Sequence, residues 1–324
     1  MIPAIVLTAG LGTRLRPLTF LRAKPALPVA GVPLVRRILA GIANAGVTRV
    51  VLNLHHLPDT ICSVVGDGAD MGLAVRYSWE NPVLGSGGGP RRALPLLEAD
   101  RFFIVNGDTL TDVDLGEILD SHAASGALAT LALVPNDAPH RYGGVLVDED
   151  GAVAGFVRRG TTLPSWHFVG VQVVEAGAFA SLSPDVPSES VAGLYPRLMR
   201  ERPGSVRAFC CRASFKDIGT PSDYLATSLE LAGGDQAALV APNSLISRSA
   251  RVVDSILWDH VTVEDAADLE RCIVADGLRI PAGVRLRESI VLPARVAPVL
   301  PPDAVRHLAE DLVVVALTQN ETFR

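Results

Sequence analysis

Two apolar patterns alternate along the first 130 residues. Short runs rich in branched aliphatic side chains, at 2–7, 47–54, 73–77 and 101–105, have the length and composition of buried strands. Between them, 33–45 places Leu34, Ile38, Leu39 and Ile42 on one helical stripe that ends at Gly46. Residues 59–65 and 90–97 read as two more helices, the first closed by the Gly66-Asp67-Gly68 turn. Strand, helix and strand in this order predict right-handed crossovers and a largely parallel sheet, with ligands outside the carboxyl ends of its strands. From about residue 127 the pattern turns β-rich, with strands expected at 127–134, 144–147, 152–158, 168–174 and 206–211. Helices are expected at 190–201 and 222–231.

Gly233-Gly234-Asp235 is the clearest linker, and beyond it the period changes. Leu257, Val263, Leu269, Val274, Ile280, Leu286 and Leu292 recur at intervals of six with one interval of five, and Gly277, Ala282 and Gly283 fall at the corners. An inward aliphatic residue once per six is the pattern of a β-helix. The expected fold is therefore α/β: a Rossmann-like, mixed but mainly parallel sheet flanked by helices over 1–234. A short left-handed β-helix-like domain of two to three turns follows over 235–324, expected to serve structure or homo-oligomer contacts. Coils of this kind can also carry acyl transfer, but this one is short and offers only His260 as a candidate base, which argues against that use.

Composition narrows the choices. With 324 residues, 48% hydrophobic and 20% charged, the chain can bury a large core and is too apolar for disorder. A net charge of −6 argues against nucleic acid as the main partner. Residues 2–7 lack the basic flank of a secretory signal, and no stretch reaches the roughly 18 apolar residues of a membrane span, so no membrane partner and a cytoplasmic location are expected. Cys62, Cys210, Cys211 and Cys272 have no CxxC spacing and read as reduced thiols.

Candidate chemistry starts where the first strand ends. Leu7-Thr8-Ala9-Gly10-Leu11-Gly12-Thr13-Arg14 sets two glycines one residue apart before an arginine, and Lys24 follows ten residues later. Glycines let the backbone turn and bring bare N–H groups close to an anion. The P-loop spacing fails, because Gly10 is followed by Leu11-Gly12-Thr13-Arg14, and the dinucleotide fingerprint fails at Leu15. What remains, GLGTRLRPLT followed by KPALPVAGVPLV, resembles the nucleotidyltransferases that make nucleotide sugars from sugar 1-phosphates.

The resemblance implies the site. Both reactants of such an enzyme are anions, which calls for cations along the triphosphate and a metal ion but no strong base. Arg14 is expected on the β- and γ-phosphates and Lys24 on the α-phosphate, while Arg16 and Arg22 are expected to be solvated. Ala9, Gly10, Gly12 and Thr13 belong to the same nucleotide loop. Asp108, after the strand at 101–105, matches the family's metal-binding aspartate. Phe215-Lys216-Asp217-Ile218-Gly219-Thr220-Pro221 with Tyr224 matches W-x-D-I-G-T-P-x-x-Y, Phe215 replacing the tryptophan, and gives Asp217 as the second ligand. Two carboxylates suit Mg²⁺. Glu80-Asn81-Pro82-Val83-Leu84-Gly85-Ser86-Gly87-Gly88-Gly89 resembles the loop over the nucleoside base, giving Glu80, Gly85, Ser86 and Gly87 as contacts.

On the sugar side, Tyr142-Gly143-Gly144-Val145 and Phe168-Val169-Gly170-Val171 resemble the elements that frame the sugar and point to Gly144 and Gly170. Where the family has Glu-Lys-Pro, this chain has Arg158-Arg159-Gly160. Arg159 can still hold a phosphate, but Arg158 cannot accept from sugar hydroxyls. The implied partners are a nucleoside triphosphate and a sugar 1-phosphate. Within the family the resemblance is first to mannose-1-phosphate guanylyltransferases, using GTP and mannose 1-phosphate. Next come uridylyltransferases acting on an acidic or amino sugar 1-phosphate such as N-acetylmuramic acid 1-phosphate. A choline-phosphate cytidylyltransferase-like activity and a non-catalytic regulatory subunit that binds a nucleotide sugar stand as rivals.

Overall fold

The apolar runs of the first half become the centre of a nine-stranded sheet. The computed structural model describes residues 1–317, and the chain folds as two units: Met1–Gly10 with Val35–Lys216, and Leu11–Leu34 with the chain from Asp217 onward. In the first unit the strands are β1 Ala4–Leu7, β2 Arg49–Leu54, β3 Ala74–Trp79, β4 Arg101–Asn106, β5 Ala129–Pro135, β6 Gly144–Val147, β7 Val153–Val157, β8 Trp166–Glu175 and β9 Val206–Cys210. Their order is β7-β6-β8-β4-β1-β2-β3, with β5 also paired to β8 and β9 paired to β5. β1 runs parallel to both β2 and β4, and β2 to β3, as the crossover rule requires. β8 pairs antiparallel with β4 and with β5, which makes the sheet mixed.

Helix α1, Leu34–Asn44, follows its apolar stripe, and α2 spans Pro58–Val65. The third helix, α3, begins at Gly85 and ends at Leu97, so the glycine run expected to be a loop forms its first turns. Helix α4, Leu115–Ser125, was not expected from apolar spacing. Its signal is polar: the Asp114 carboxylate accepts from Gly116 N at 2.8 Å and Glu117 N at 3.0 Å, an N-cap. The segment expected as one helix at 190–201 is a π-helical turn, Ser190–Leu194, followed by α5, Tyr195–Glu201. Ile5, Phe102, Ile104, Leu131, Phe179 and Tyr195 lie in a fully buried core between the sheet and these helices.

In the second unit, residues 11–34 form single 3-10 turns at Thr13–Leu15, Leu18–Phe20 and Lys24–Ala26. Helix α6, Pro221–Ala232, precedes the coil, which has three parallel faces of three rungs each. Leu245, Thr262 and Arg279 stack on one face, Arg251, Asp268 and Arg285 on the second, Ile256, Ile273 and Ile290 on the third. One turn is thus 17 residues. This is a short left-handed β-helix-like coil whose axis is filled by Leu257, Val263, Leu269, Val274, Ile280 and Leu286. The last expected position shifts by one: the partner of Val274 is Val291, not Leu292, so the interval of five recurs every turn. A hairpin of Arg306–Ala309 and Leu312–Ala316 pairs antiparallel onto Ser289–Pro293 and covers the edge of the third face. All four cysteines are free, and among the described residues no helix is long and apolar enough to cross a membrane.

One buried polar group in the first unit makes stability depend on pH. His122 on α4 contacts Thr130 Oγ1 at 2.8 Å and Glu175 Oε1 at 3.1 Å, and Arg101 donates to the same Glu175 oxygen at 2.7 Å. Burial is the main cause that pushes the His122 pKa below the ordinary histidine value, so the folded state holds it neutral. The unfolded chain then binds more protons as pH falls through about 6.5, and stability falls with it. The melting temperature should drop between pH 7 and pH 5, and His122→Gln should flatten that dependence. Parallel pH profiles for the two proteins would exclude His122 as its origin.

Candidate active site

The sequence-predicted residues fall on strand ends, turns and the first turns of α3. In the first unit, β1 ends in Thr8, Ala9 and Gly10. The Thr8 amide donates to Asn53 Oδ1 at 2.6 Å, and the Thr8 hydroxyl donates to the Asn53 carbonyl. Asn53 in turn donates to Glu80 Oε1 at 2.7 Å, and Glu80 Oε2 accepts from Leu84 N at 2.7 Å. All three side chains are buried. Gly89 lies directly over this chain of bonds, because a Cβ there would be 2.6 Å from Glu80 Oε1 and 2.8 Å from Asn53 Nδ2. Glu80 therefore has both carboxylate oxygens engaged in holding the start of α3 against β1 and β2.

The glycines of α3 make room for chain packing. The Gly87 and Gly88 amides donate to the Ser188 carbonyl at 2.8 and 3.2 Å, and a Cβ at Gly88 would lie 2.7 Å from the Val186 carbonyl. Ser86 Oγ donates to Glu189 Oε2 at 2.6 Å and accepts from Ser190 N at 2.9 Å. Residues 186–190 thus occupy the amides that sequence reading gave to a nucleoside base.

Asp108 follows β4 in a turn made possible by Gly107, whose amide donates to Leu7 O at 3.0 Å and whose Cβ would collide with that oxygen. Thr109 Oγ1 donates to Asp108 Oδ1 at 3.2 Å. Gly170, at φ +82°, packs on the Asn106 side chain, where a Cβ would be 2.5 Å from Nδ2. Gly144 is filled in by Ser165. Beside these lies an aromatic stack absent from the sequence reading: the His167 ring is 4.3 Å from Tyr142 and 4.7 Å from Phe215, centroid to centroid. Arg158 and Arg159 stand exposed in the turn after β7.

The second unit holds the cations. Gly12 is left-handed (φ 61°), and a Cβ there would be 2.9 Å from Thr19 Cγ2 and 3.3 Å from Lys24 Cβ, so the loop closes tightly over Lys24. Thr19 Oγ1 donates back to Gly12 O at 3.0 Å. Lys24 is only 7% exposed. Arg14 lies on the surface beside Thr13, and its Nη1 is 3.7 Å from Asp217 Oδ2. Gly219 permits that approach, since a Cβ would be 2.7 Å from Arg14 Nη1. Thr220 then caps α6 in a box with Asp223, Pro221 starts the helix, and Tyr224 is buried one turn in. Its hydroxyl donates to Pro28 O at 2.7 Å and accepts from Trp258 Nε1 at 3.0 Å.

The model for "Nucleotidyl transferase" matches residues 3–233, and that for "GlmU-like, C-terminal hexapeptide" matches 225–294. The chain belongs to the nucleotidyl transferase family. It is 29% identical over 294 residues to the mannose-1-phosphate guanylyltransferase of Mycobacterium tuberculosis, covering 87% of this chain and 82% of that one. It is 30% identical over 307 residues to the probable mannose-1-phosphate guanylyltransferase 1 of rice, Oryza sativa, covering 89% and 81%. Among solved structures, HddC from Yersinia pseudotuberculosis complexed with GMP-PN superposes with a TM-score of 0.63 at 27% identity, over 71% of this chain and all of HddC.

In this nucleotidyl transferase the motif residues read from sequence lie on turns, strands and the start of α3, and a neighbour of the Lys24 motif was misjudged. Arg22 is not solvated: its side chain is 17% exposed and bonded to two carboxylates of the coil. Asn53 and His167 were missed as well. Neither lies in a glycine- or charge-marked motif, and only the sheet register and the stack bring them into place. The Tyr224 hydroxyl serves two buried partners, and losing it leaves both without a bond. Tyr224→Phe should lower unfolding stability by about 1–3 kcal/mol, measured by denaturant titration. An unchanged midpoint would show that the hydroxyl contributes nothing.

Proposed function

We propose that this nucleotidyl transferase moves GMP from GTP to mannose 1-phosphate, giving a nucleotide sugar and pyrophosphate. The observation that carries the reading is that one folded unit holds Arg14 and Lys24 on short turns and Asp217 at the end of a short strand, with the Arg14–Asp217 contact at 3.7 Å. The guanosine and mannose parts rest on the names of the relatives and on the GMP-PN complex of HddC.

In the reaction a phosphate oxygen of the sugar 1-phosphate forms a bond to the α-phosphorus, and the bond from that phosphorus to the bridging oxygen of the β-phosphate breaks. The nucleophile is already ionised, so no general base is needed. Arg14, exposed and forked, holds the two leaving phosphates together. Lys24, desolvated by its burial, is the point charge for the α-phosphate, where negative charge grows as the new bond forms. Asp108 and Asp217 are hard oxygen donors of the kind Mg²⁺ takes. When bound, the metal neutralises phosphate charge. The loop of Gly10, Gly12 and Thr13 carries the triphosphate. Tyr142, Phe215, Gly144 and Gly170 frame the sugar. A different sugar is favoured by one observation, the exposed Arg158-Arg159 pair in place of a hydroxyl-accepting glutamate. An acidic sugar 1-phosphate with UTP would use that charge.

Pyrophosphate release measured for each NTP against a panel of sugar 1-phosphates tests all of this. GTP with mannose 1-phosphate should turn over fastest with Mg²⁺. Turnover only with UTP and an acidic sugar would move the assignment. No turnover with any pair, alongside binding of a nucleotide sugar, would replace it with a regulatory role. Asp108→Asn should lower kcat by at least about 10²-fold with melting unchanged, and a lowered melting temperature would make Asp108 structural.

A further inference from the structure

The catalytic cations assigned above lie on either side of Arg22, and Arg22 does not face solvent. Its Nε donates to Asp276 Oδ2 at 2.9 Å, and its Nη2 donates to Asp276 Oδ1 and to Asp259 Oδ2, each at 2.5 Å. The guanidinium carbon sits 5.0 Å over the Trp258 ring. Trp258, Asp259 and Asp276 all belong to the coil, which is separated from Arg22 by more than 230 residues. The carboxylates are themselves fixed. Asp276 Oδ1 accepts from Asp259 N at 3.0 Å, one rung back, and Asp259 Oδ1 accepts from Asn243 Nδ2 at 3.1 Å.

Four residues beyond Lys24 the chain is tied to the same tryptophan a second time, through Pro28 O, the Tyr224 hydroxyl and Trp258 Nε1. Lys24 is therefore bracketed by two tethers, Arg22 on the ring face of Trp258 and Pro28 on its N–H edge. A bidentate guanidinium on a carboxylate has a fixed orientation, and a ring face adds a second restraint. Residues 11–34 hold three isolated 3-10 turns and one two-residue hairpin, Pro28–Val29 with Val32–Pro33, and Arg14, Arg22 and Lys24 all precede that hairpin.

We propose that Arg22 is a positioning residue: the Trp258–Asp259–Asp276 corner of the coil grips it and thereby sets where Lys24 and Arg14 stand. The coil is then a working part of the transferase. This rests on the reading of Arg14 and Lys24 given above. Loosening the grip displaces two cations that must meet a transition state, and a misplacement of about 1 Å can cost on the order of 10²-fold in rate.

The test uses the full chain with four variants. Arg22→Ala and Asp276→Asn remove the grip, Arg22→Lys keeps its charge but not the fork, and Arg251→Ala breaks an exposed ion-pair ladder elsewhere on the coil. Arg22→Ala and Asp276→Asn should lower kcat by ten- to a hundredfold with KM for the NTP within about threefold. Arg22→Lys should fall between them and wild type, and Arg251→Ala should match wild type. Amide hydrogen exchange is the second readout: the Leu15, Leu21, Ala26 and Leu27 amides should exchange at least tenfold faster in Arg22→Ala, while those of Ile256 and Thr262 hold their rates. Unchanged kcat, unchanged exchange at 11–34, or equal losses in Arg251→Ala would overturn the proposal. If Arg22→Ala does not fold, Asp276→Asn decides it. If wild type turns over no substrate pair, the transferase reading fails by itself, and the exchange rates still decide whether the coil holds the loop.

Discussion

The hydroxyl of Tyr224 is the point on which the cation-bearing part of the second unit depends. It is fully buried, donates to Pro28 O and accepts from Trp258 Nε1, so a single oxygen joins the end of the Lys24 segment, α6 and the coil. Three polar groups that water cannot reach are satisfied together, and removing one strands the others. The Gly219-Thr220-Pro221 sequence positions that oxygen from one side: Gly219 makes room for Arg14, Thr220 caps the helix, and Pro221 starts it. The motif whose aspartate is expected to be a metal ligand is also, through Tyr224, the anchor of the loop that carries both cations.

The first unit is built on the same logic with different groups. Asn53 and Glu80 fill the space at the carboxyl ends of β1 and β2, and their bonds run from the Thr8 backbone to the Leu84 amide. Glycines 87, 88 and 89 admit a crossing chain and a buried carboxylate, and are not needed for a free loop. The glycine-rich stretch from Thr8 to Arg14 is divided: Gly10 ends the part that belongs with the sheet, and Leu11 begins the segment that packs with α6 and the coil.

Much of this was legible in the sequence. The strands and most helices follow from apolar period, because each buries one face and the spacing of that face is fixed by backbone geometry. The coil was visible for the same reason, and its 17-residue turn differs from a strict six-fold count by one residue per turn. Arg14, Lys24, Asp108 and Asp217 were singled out by resemblance to the motifs of the nucleotidyltransferases. Helix α4 was missed because its signal lies in Asp114 and Glu117, not in an apolar stripe, and α3 started early because packing against 186–190 overrode glycine's weak helix propensity.

What the sequence by itself determined is local: element type, inward faces, and turns whose residues have only one comfortable conformation. Tertiary structure alone decided which distant groups share an atom. An arginine in a basic stretch gives no sign of whether it meets water or two carboxylates more than 230 residues away, since long-range pairing leaves no period in the chain. The contacts of Arg22, Asn53 and His167 are therefore invisible until the chain is folded. Lys24 was visible, but its burial, with the Gly12 turn packed against it, emerges only in the folded chain.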